Sequence, residues 1–371
     1  MGSEHLRLHL LPKQLVYPRR TYRPTMSSQP LLARYRQLAP SASVRVSPLC
    51  LGAMTFGTAA KERYGECSKD AASRQNRDQM VIATKYTTGW QGHHKDKIQA
   101  NYGGNGTKSM RISLEASLRK LQTTYIDLFY VHWWDYTVSI PELMHSLNDL
   151  VVSGKVLYLG ISDTPAWVVA KANQYARDHG LRQFTVYQGM WNAAMRDFER
   201  EIIPMCRDEG MGLCPYGVLN QGRFQTEEGF KERAKGHNGR SFVPLSEHDK
   251  KVSRVLENVA NAKGVALLQV ALAYVFQKTP YVFPIVGARK VEHIKGVMPA
   301  VGIMLTAEEI EKIESAYTFD PGFPHTFLSG TLFGDGPPQG VYGPGGIWLT
   351  KSLGTFDWVE YPKAIAPAEG N

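Results

Sequence analysis

Seven polar side chains stand at or just past the ends of short apolar runs in this chain: Lys85, His132, Ser162, Asp163, Gln188, Tyr216 and Arg289. A lysine or histidine alone at such a place is ordinarily a solvated or hydrogen-bonded residue. Seven from six runs form a constellation. The set is rich in hydrogen-bond donors and in groups able to hold or pass a proton, which is what a reaction building negative charge on oxygen requires. A desolvated Lys85 would also permit imine chemistry, a condition that sequence does not reveal. No group of histidines and carboxylates has metal-ligand spacing, so no metal is expected. A nucleophile elbow is also absent.

Runs that end in one cluster must be strands of a common sheet. Thr124–Trp134, TYIDLFYVHWW, reads as a buried strand of β-branched and aromatic residues that ends on His132. Strand candidates start near residues 49, 80, 125, 155, 184, 212 and 281. Helices separate most of them: Met110, Leu114, Leu118 and Leu121 line one face of a helix beginning near Thr107, and Ser139 with Glu142, and Thr306 with Glu309, have capping-box spacing. Alternation of this kind predicts parallel βαβ units, and a dinucleotide fold with GxGxxG after its first strand finds no such motif here. The expected fold is α/β, a TIM-type (β/α)8 barrel with seven strands found and one βα unit missing after residue 70. Polar residues at the carboxyl ends of such strands are where barrels of this type carry their sites. The stretch from Asn220 to Asp249 has no periodicity and is expected to be a loop or flap.

The chain has 371 residues, enough for a barrel with tails. Its formal charge of +9 is concentrated before residue 46, where eight basic residues face Glu4 alone, so nucleic-acid binding is not expected. The first 25 residues are Arg-rich and poor in acids, a pattern shared by transit segments and disordered extensions. We read them as an extension, with Met26 as an alternative start. Expected units are a basic disordered leader over 1–43, the barrel over 44–320 and an irregular Gly- and Pro-rich tail over 321–371. Cys50, Cys67, Cys206 and Cys214 lack CxxC spacing and suit a reducing compartment. Without an apolar run of membrane length, a cytoplasmic protein is expected.

The stretches RVSPLCLGAMTFG, NRDQMVIATKY, SLRKLQTTYIDLFYVHWWD, SGKVLYLGISDTPAW, YQGMWN, EGMGLCPYGVLNQG and PYVFPIVGARKVEHIK resemble the aldo-keto reductases, of the fungal aryl-alcohol dehydrogenase and norsolorinic acid reductase type. The resemblance spans about residues 44 to 320. It implies an NADPH-dependent oxidoreductase acting on a small aromatic or polyketide-like aldehyde, ketone or alcohol, in fungal secondary metabolism. In that family a tyrosine supplies a proton, a lysine paired with an aspartate lowers the tyrosine's pKa, and a histidine orients the carbonyl. Lys85 matches the lysine and His132 the histidine. Ser162, Asp163 and Gln188 match the groups that hold the nicotinamide carboxamide, and Tyr216 the ring that stacks on nicotinamide. Gly217, Leu219, Gln221 and Gly222 fall on the pyrophosphate path. Gly287, Arg289, Lys290 and His293 fall where the 2′-phosphate and adenine are held. His132 and Trp133 are expected to meet substrate, with Trp90, Trp134 and Trp191 near the mouth.

Two departures stand out. Gly296 and Val297 replace the Glu-Asn that usually closes the adenine segment. After GECSKD the family continues through a helix, the strand with the catalytic aspartate, the catalytic tyrosine and another helix. This chain reaches Asn76 almost at once. Tyr64 is expected to face solvent, and Tyr86 points away from Lys85 by strand alternation. The alternatives left are a reductase using another acid, a pseudoenzyme that binds NADPH or a partner without turnover, and a Schiff-base enzyme using Lys85.

Overall fold

The strand that leads to His132, β5 (Ile126–Val131), is buried along its whole length. From Leu128 onward its residues divide by alternation: Leu128 and Tyr130 join an inner cluster with Val186, Cys214 and Phe283, while Phe129 and Val131 pack under the helices. The computed structural model describes residues 31–53, 76–354, 357–365 and 367, except 93, 95, 97, 235–243 and 289. Around β5 the parallel order is β4 (Ala83–Tyr86), β5, β6 (Val156–Ser162), β7 (Phe184–Gln188) and β8 (Gly212–Leu213). The ladder continues past β8. Leu213 N bonds Tyr281 O at 2.9 Å, Phe283 N bonds Leu213 O at 2.8 Å, and Ile285 N bonds Pro215 O at 2.8 Å. β9 (Ile285–Val286) then pairs in parallel with β3 (Cys50–Leu51). Seven parallel strands thus follow one another, with β3 and β4 at the two ends. Residues 54–75, which join β3 to β4 along the chain, lie outside the described residues.

Helices cover the outer face. In Thr107–Leu121, Met110, Leu114 and Leu118 are buried as their spacing predicts, and Leu121 emerges at the end. Ser139 caps Ile140–Val152 by accepting from Glu142 N at 3.3 Å, but Glu142 turns to the Thr107 hydroxyl at 3.1 Å instead of closing the box. Thr306 and Glu309 do cap each other reciprocally. Among the described residues no single helix is long and apolar enough to cross a membrane.

Two expectations change, and one apolar stretch divides. The leader is structured before residue 44: β1 (Arg36–Ala39) and β2 (Ala42–Val46) form an antiparallel hairpin. Leu38, Ala39 and Ala42 bury themselves in the inner cluster, and Ser41 bonds Gly210 O through N at 3.2 Å and Oγ at 2.7 Å. The hairpin therefore plugs the amino-terminal end of the strands, which its charge-rich surroundings concealed. The apolar stretch from Val44 divides at Pro48 between β2 and β3, because proline cannot donate to a ladder. The stretch after Asn220 carries the helix Glu227–Ala234 and a 3-10 turn over Asn220–Gly222. Glu227 and Glu228 favour that helix start through the helix dipole, a signal that apolar periodicity does not register.

Candidate active site

Strand alternation sends Lys85 inward and Tyr86 outward. Tyr86 is buried, stacks on Phe129 with centroids 5.3 Å apart and donates to Asn105 O at 3.2 Å. Lys85 Nζ instead lies 5.9 Å from the Tyr130 ring and donates to Gln188 Oε1 across the strand ends. Burial lowers the Lys85 pKa, and the opposing pull of Asp163, Cys50 and Cys214 offsets part of that. His132 leaves the end of β5, and burial followed by the positive charge of Lys85 depresses it to about 4. Its imidazole is therefore neutral at ordinary pH.

Ser162 ends β6 and Asp163 turns sharply out of it, with φ of 42°. Two bonds fix that turn. Asp163 N donates to Gln188 O at 3.1 Å, and Tyr216 donates its hydroxyl to the Asp163 carboxylate at 3.2 and 3.3 Å. The carboxylate reaches solvent, yet crowding by the strand ends raises its pKa, an effect that the Tyr216 bond and Lys85 offset in part. Burial likewise raises Tyr216, as does its anionic partner. The Ser162 hydroxyl and the Gln221 Oε1 are buried and make no hydrogen bond among the described residues. Polar atoms of this kind are rare in a finished core and mark a place where a ligand atom would complete the pairing.

The segment after β8 is tightly coiled. Gly217 and Gly222 adopt φ of 67° and 83°, and Gln221 φ of 53°. Asn192 Nδ2 holds Gly217 O at 2.9 Å, and Asn220 Nδ2 holds Asp249 Oδ1 at 2.6 Å. Leu219 O accepts from Gly222 N at 3.0 Å. After β9, Gly287 has open space around its Cα and Lys290 precedes the short helix Val291–Val297, where His293 N bonds Lys290 O at 3.2 Å. Arg289 lies outside the described residues, as do Tyr64 and Cys67.

Contacts therefore bring Lys85, Ser162, Asp163, Gln188 and Tyr216 to one mouth, with His132 within electrostatic reach of Lys85. The aromatic set needs correction. Trp191 is completely buried, stacks on Phe198 with centroids 5.7 Å apart and donates to Glu199 Oε1 at 3.2 Å, so it belongs to the core. Trp134 also packs against core residues. Trp133 is 40% exposed at the mouth.

Sequence reasoning missed Asn105. It is fully buried, with Nδ2 donating to Thr87 Oγ1 and to Trp133 O, both at 2.9 Å. Its Oδ1 accepts from Asp135 N at 2.8 Å, and its own N–H donates to Asp135 Oδ2 at 2.6 Å. It clamps the loops after β4 and β5 together. An amide amid the glycines of NYGGNG was the available signal, since an amide side chain offers two N–H donors and an acceptor oxygen at once.

A family model for the Aldo/keto reductase family matches residues 48–318. The chain is 66% identical over 378 residues to norsolorinic acid reductase B of Aspergillus parasiticus, covering 92% of this chain and 99% of the relative. Norsolorinic acid reductase B of Dothistroma septosporum is 64% identical over 369 residues, covering 90% and 94%. The aryl-alcohol dehydrogenase [NADP(+)] of Phanerodontia chrysosporium is 42% identical over 382 residues, covering 91% and 96%. The seven ordered parallel strands follow the family's (β/α)8 barrel. The chain belongs to the aldo/keto reductase family, a family of oxidoreductases.

Proposed function

We propose that this chain uses NADPH to reduce an aromatic or polyketide-like aldehyde or ketone, or to oxidise the corresponding alcohol, in the cytoplasm and in secondary metabolism. The observation that carries this reading is the convergence of Lys85, Gln188, Asp163 and Tyr216 beside the orphaned Ser162 hydroxyl. The names of the relatives support the substrate class, and one of them carries NADP(+) in its name.

The residues fit the cofactor. Ser162 has a buried hydroxyl to spare, and Gln188 keeps its amide N–H groups while Oε1 is engaged by Lys85. Asp163 as a carboxylate only accepts, so it suits the amide N–H of a carboxamide rather than its oxygen. Tyr216 offers a half-buried ring, Gly217, Leu219, Gln221 and Gly222 a polar coil for the pyrophosphate, and Gly287, Arg289, Lys290 and His293 the segment for the 2′-phosphate and adenine. Bound there, the nicotinamide supplies a hydride to the carbonyl carbon. His132, neutral, orients the carbonyl oxygen by a hydrogen bond, and Trp133 forms an aromatic wall beside it. Lys85 is the cation at the mouth: its ammonium stabilises negative charge on that oxygen, and desolvation eases release of its proton.

A second reading is a pseudoenzyme that binds NADPH or a partner without turnover. It is favoured by the tyrosines present: Tyr216 is bonded to Asp163, Tyr86 faces outward, and Tyr130 is buried beneath Lys85. A missing βα unit would explain this. The alignment with the Aspergillus parasiticus relative runs over 378 residues but takes up 92% of a 371-residue chain, so dozens of its positions face no residue here. Carbonyl-dependent NADPH oxidation tests the choice. Turnover with an aryl aldehyde supports the reductase, and saturable NADPH binding without turnover supports the pseudoenzyme.

A further inference from the structure

The loop leaving β4 turns back on itself at Thr87, a β-branched residue with φ of 90°. Backbone strain of this kind persists only where surrounding contacts enforce it. Here Gly104 N donates to Thr87 O at 2.7 Å, and Thr87 Oγ1 accepts from both Asn105 Nδ2 at 2.9 Å and His132 N at 3.2 Å. The turn delivers the next residue, Thr88, to the loop after β5. Thr88 Oγ1 lies 3.0 Å from His132 Nδ1 and 3.0 Å from Trp133 Nε1.

The proton count decides the direction of the indole bond and leaves two arrangements for the imidazole bond. An indole N–H only donates, so Trp133 donates to Thr88. Thr88 keeps one hydroxyl proton, and His132 Nδ1 is its acceptor within the protein. We infer that Thr88 is a positioning residue that donates to His132 Nδ1 and so holds the imidazole as its Nε2–H tautomer. In the opposite arrangement Nδ1–H would donate to Thr88, whose own proton would turn out to solvent, and Nε2 would meet a carbonyl oxygen with a lone pair. Only the first arrangement leaves a donor on the ring nitrogen remote from Thr88. The same hydroxyl pins the Trp133 indole, so the aromatic wall and the polarising imidazole are set by one side chain.

The choice of tautomer, like its consequence for catalysis, leans on the reductase reading, whereas the Thr88–His132 contact does not. The test therefore reads both, on the full chain labelled with 15N-histidine and with His132 assigned through His132→Asn. The wild type and Thr88→Ser should show an unprotonated Nδ1 and a protonated Nε2. Thr88→Val, similar in volume and exposed, should show mixed tautomers, with kcat for an aryl aldehyde lowered about tenfold, the worth of one hydrogen bond. Its NADPH affinity should be unchanged. A protonated Nδ1 in the wild type would overturn the inference. So would a Thr88→Val protein with unaltered tautomer and unaltered kcat. Expected tautomers in a chain that turns over no carbonyl would support the relay while contradicting the reductase reading.

Discussion

Lys85 Nζ on β4 donates to Gln188 Oε1 on β7, three strands along the ladder. In a flat sheet those strands would be about 14 Å apart. The bond is therefore a chord, and it shows that the sheet curls enough to bring opposite walls together. Site and curvature depend on each other here, because the residues that would hold nicotinamide face Lys85 only when β4 and β7 approach.

Removing the lysine separates chemistry from binding. Lys85→Met should keep NADPH affinity within a few-fold and lower turnover by about 10² to 10⁴, the range of general acid catalysis. Borohydride with a carbonyl substrate should trap no adduct on wild-type Lys85, because its Nζ is engaged by Gln188 Oε1 rather than open to the carbonyl carbon. Steady-state kinetics and intact mass read the two outcomes.

The Ser162 hydroxyl makes no well-formed hydrogen bond, although its nearness to the Asp163 carboxylate helps hold that pKa down. Ser162→Ala should therefore leave the unfolding midpoint unchanged or raised while weakening NADPH about tenfold. A denaturant titration beside a binding titration checks this.

His132 titrates at about 4 when folded, against 6.5 ordinarily. Between those values the unfolded chain binds more protons at this site, so it costs stability as the pH falls from 6.5 towards 4 and nothing above 6.5. His132→Asn should flatten that part of the stability profile relative to wild type. Urea unfolding at pH 7 and pH 5 measures it. No acid limb in turnover should be attributable to His132 above about pH 5.

Asn105→Ala removes the side-chain partner of Trp133 O and of Asp135 N, and one of the two donors to Thr87 Oγ1, and should cost about 3 kcal/mol. Gly212→Ala would put its Cβ 2.2 Å from Leu38 O, forcing the hairpin off the barrel floor at a cost of about 1–3 kcal/mol. Thermal unfolding tests both.

Much of the barrel was legible because its strands are short apolar runs ending in polar residues, and Lys85, Ser162, Asp163, Gln188 and Tyr216 do share a mouth. What escaped reading depends on contacts distant in sequence. The hairpin β1–β2 looks like part of a basic leader, and its reason for folding is the space under Gly212. Trp191 stands two residues after Gly189 at a strand end, yet Phe198 and Glu199 draw it into the core. Asn105 shows its role only once the loops after β4 and β5 lie side by side.

The most direct test is an NADPH titration of the full chain followed by tryptophan fluorescence, with NADH for comparison. Saturable quenching with a clear preference for NADPH is the predicted result, since the proposed cofactor site takes in the β6, β7 and β8 ends and the segment around Lys290. A folded protein whose fluorescence responds to neither nucleotide would contradict the account.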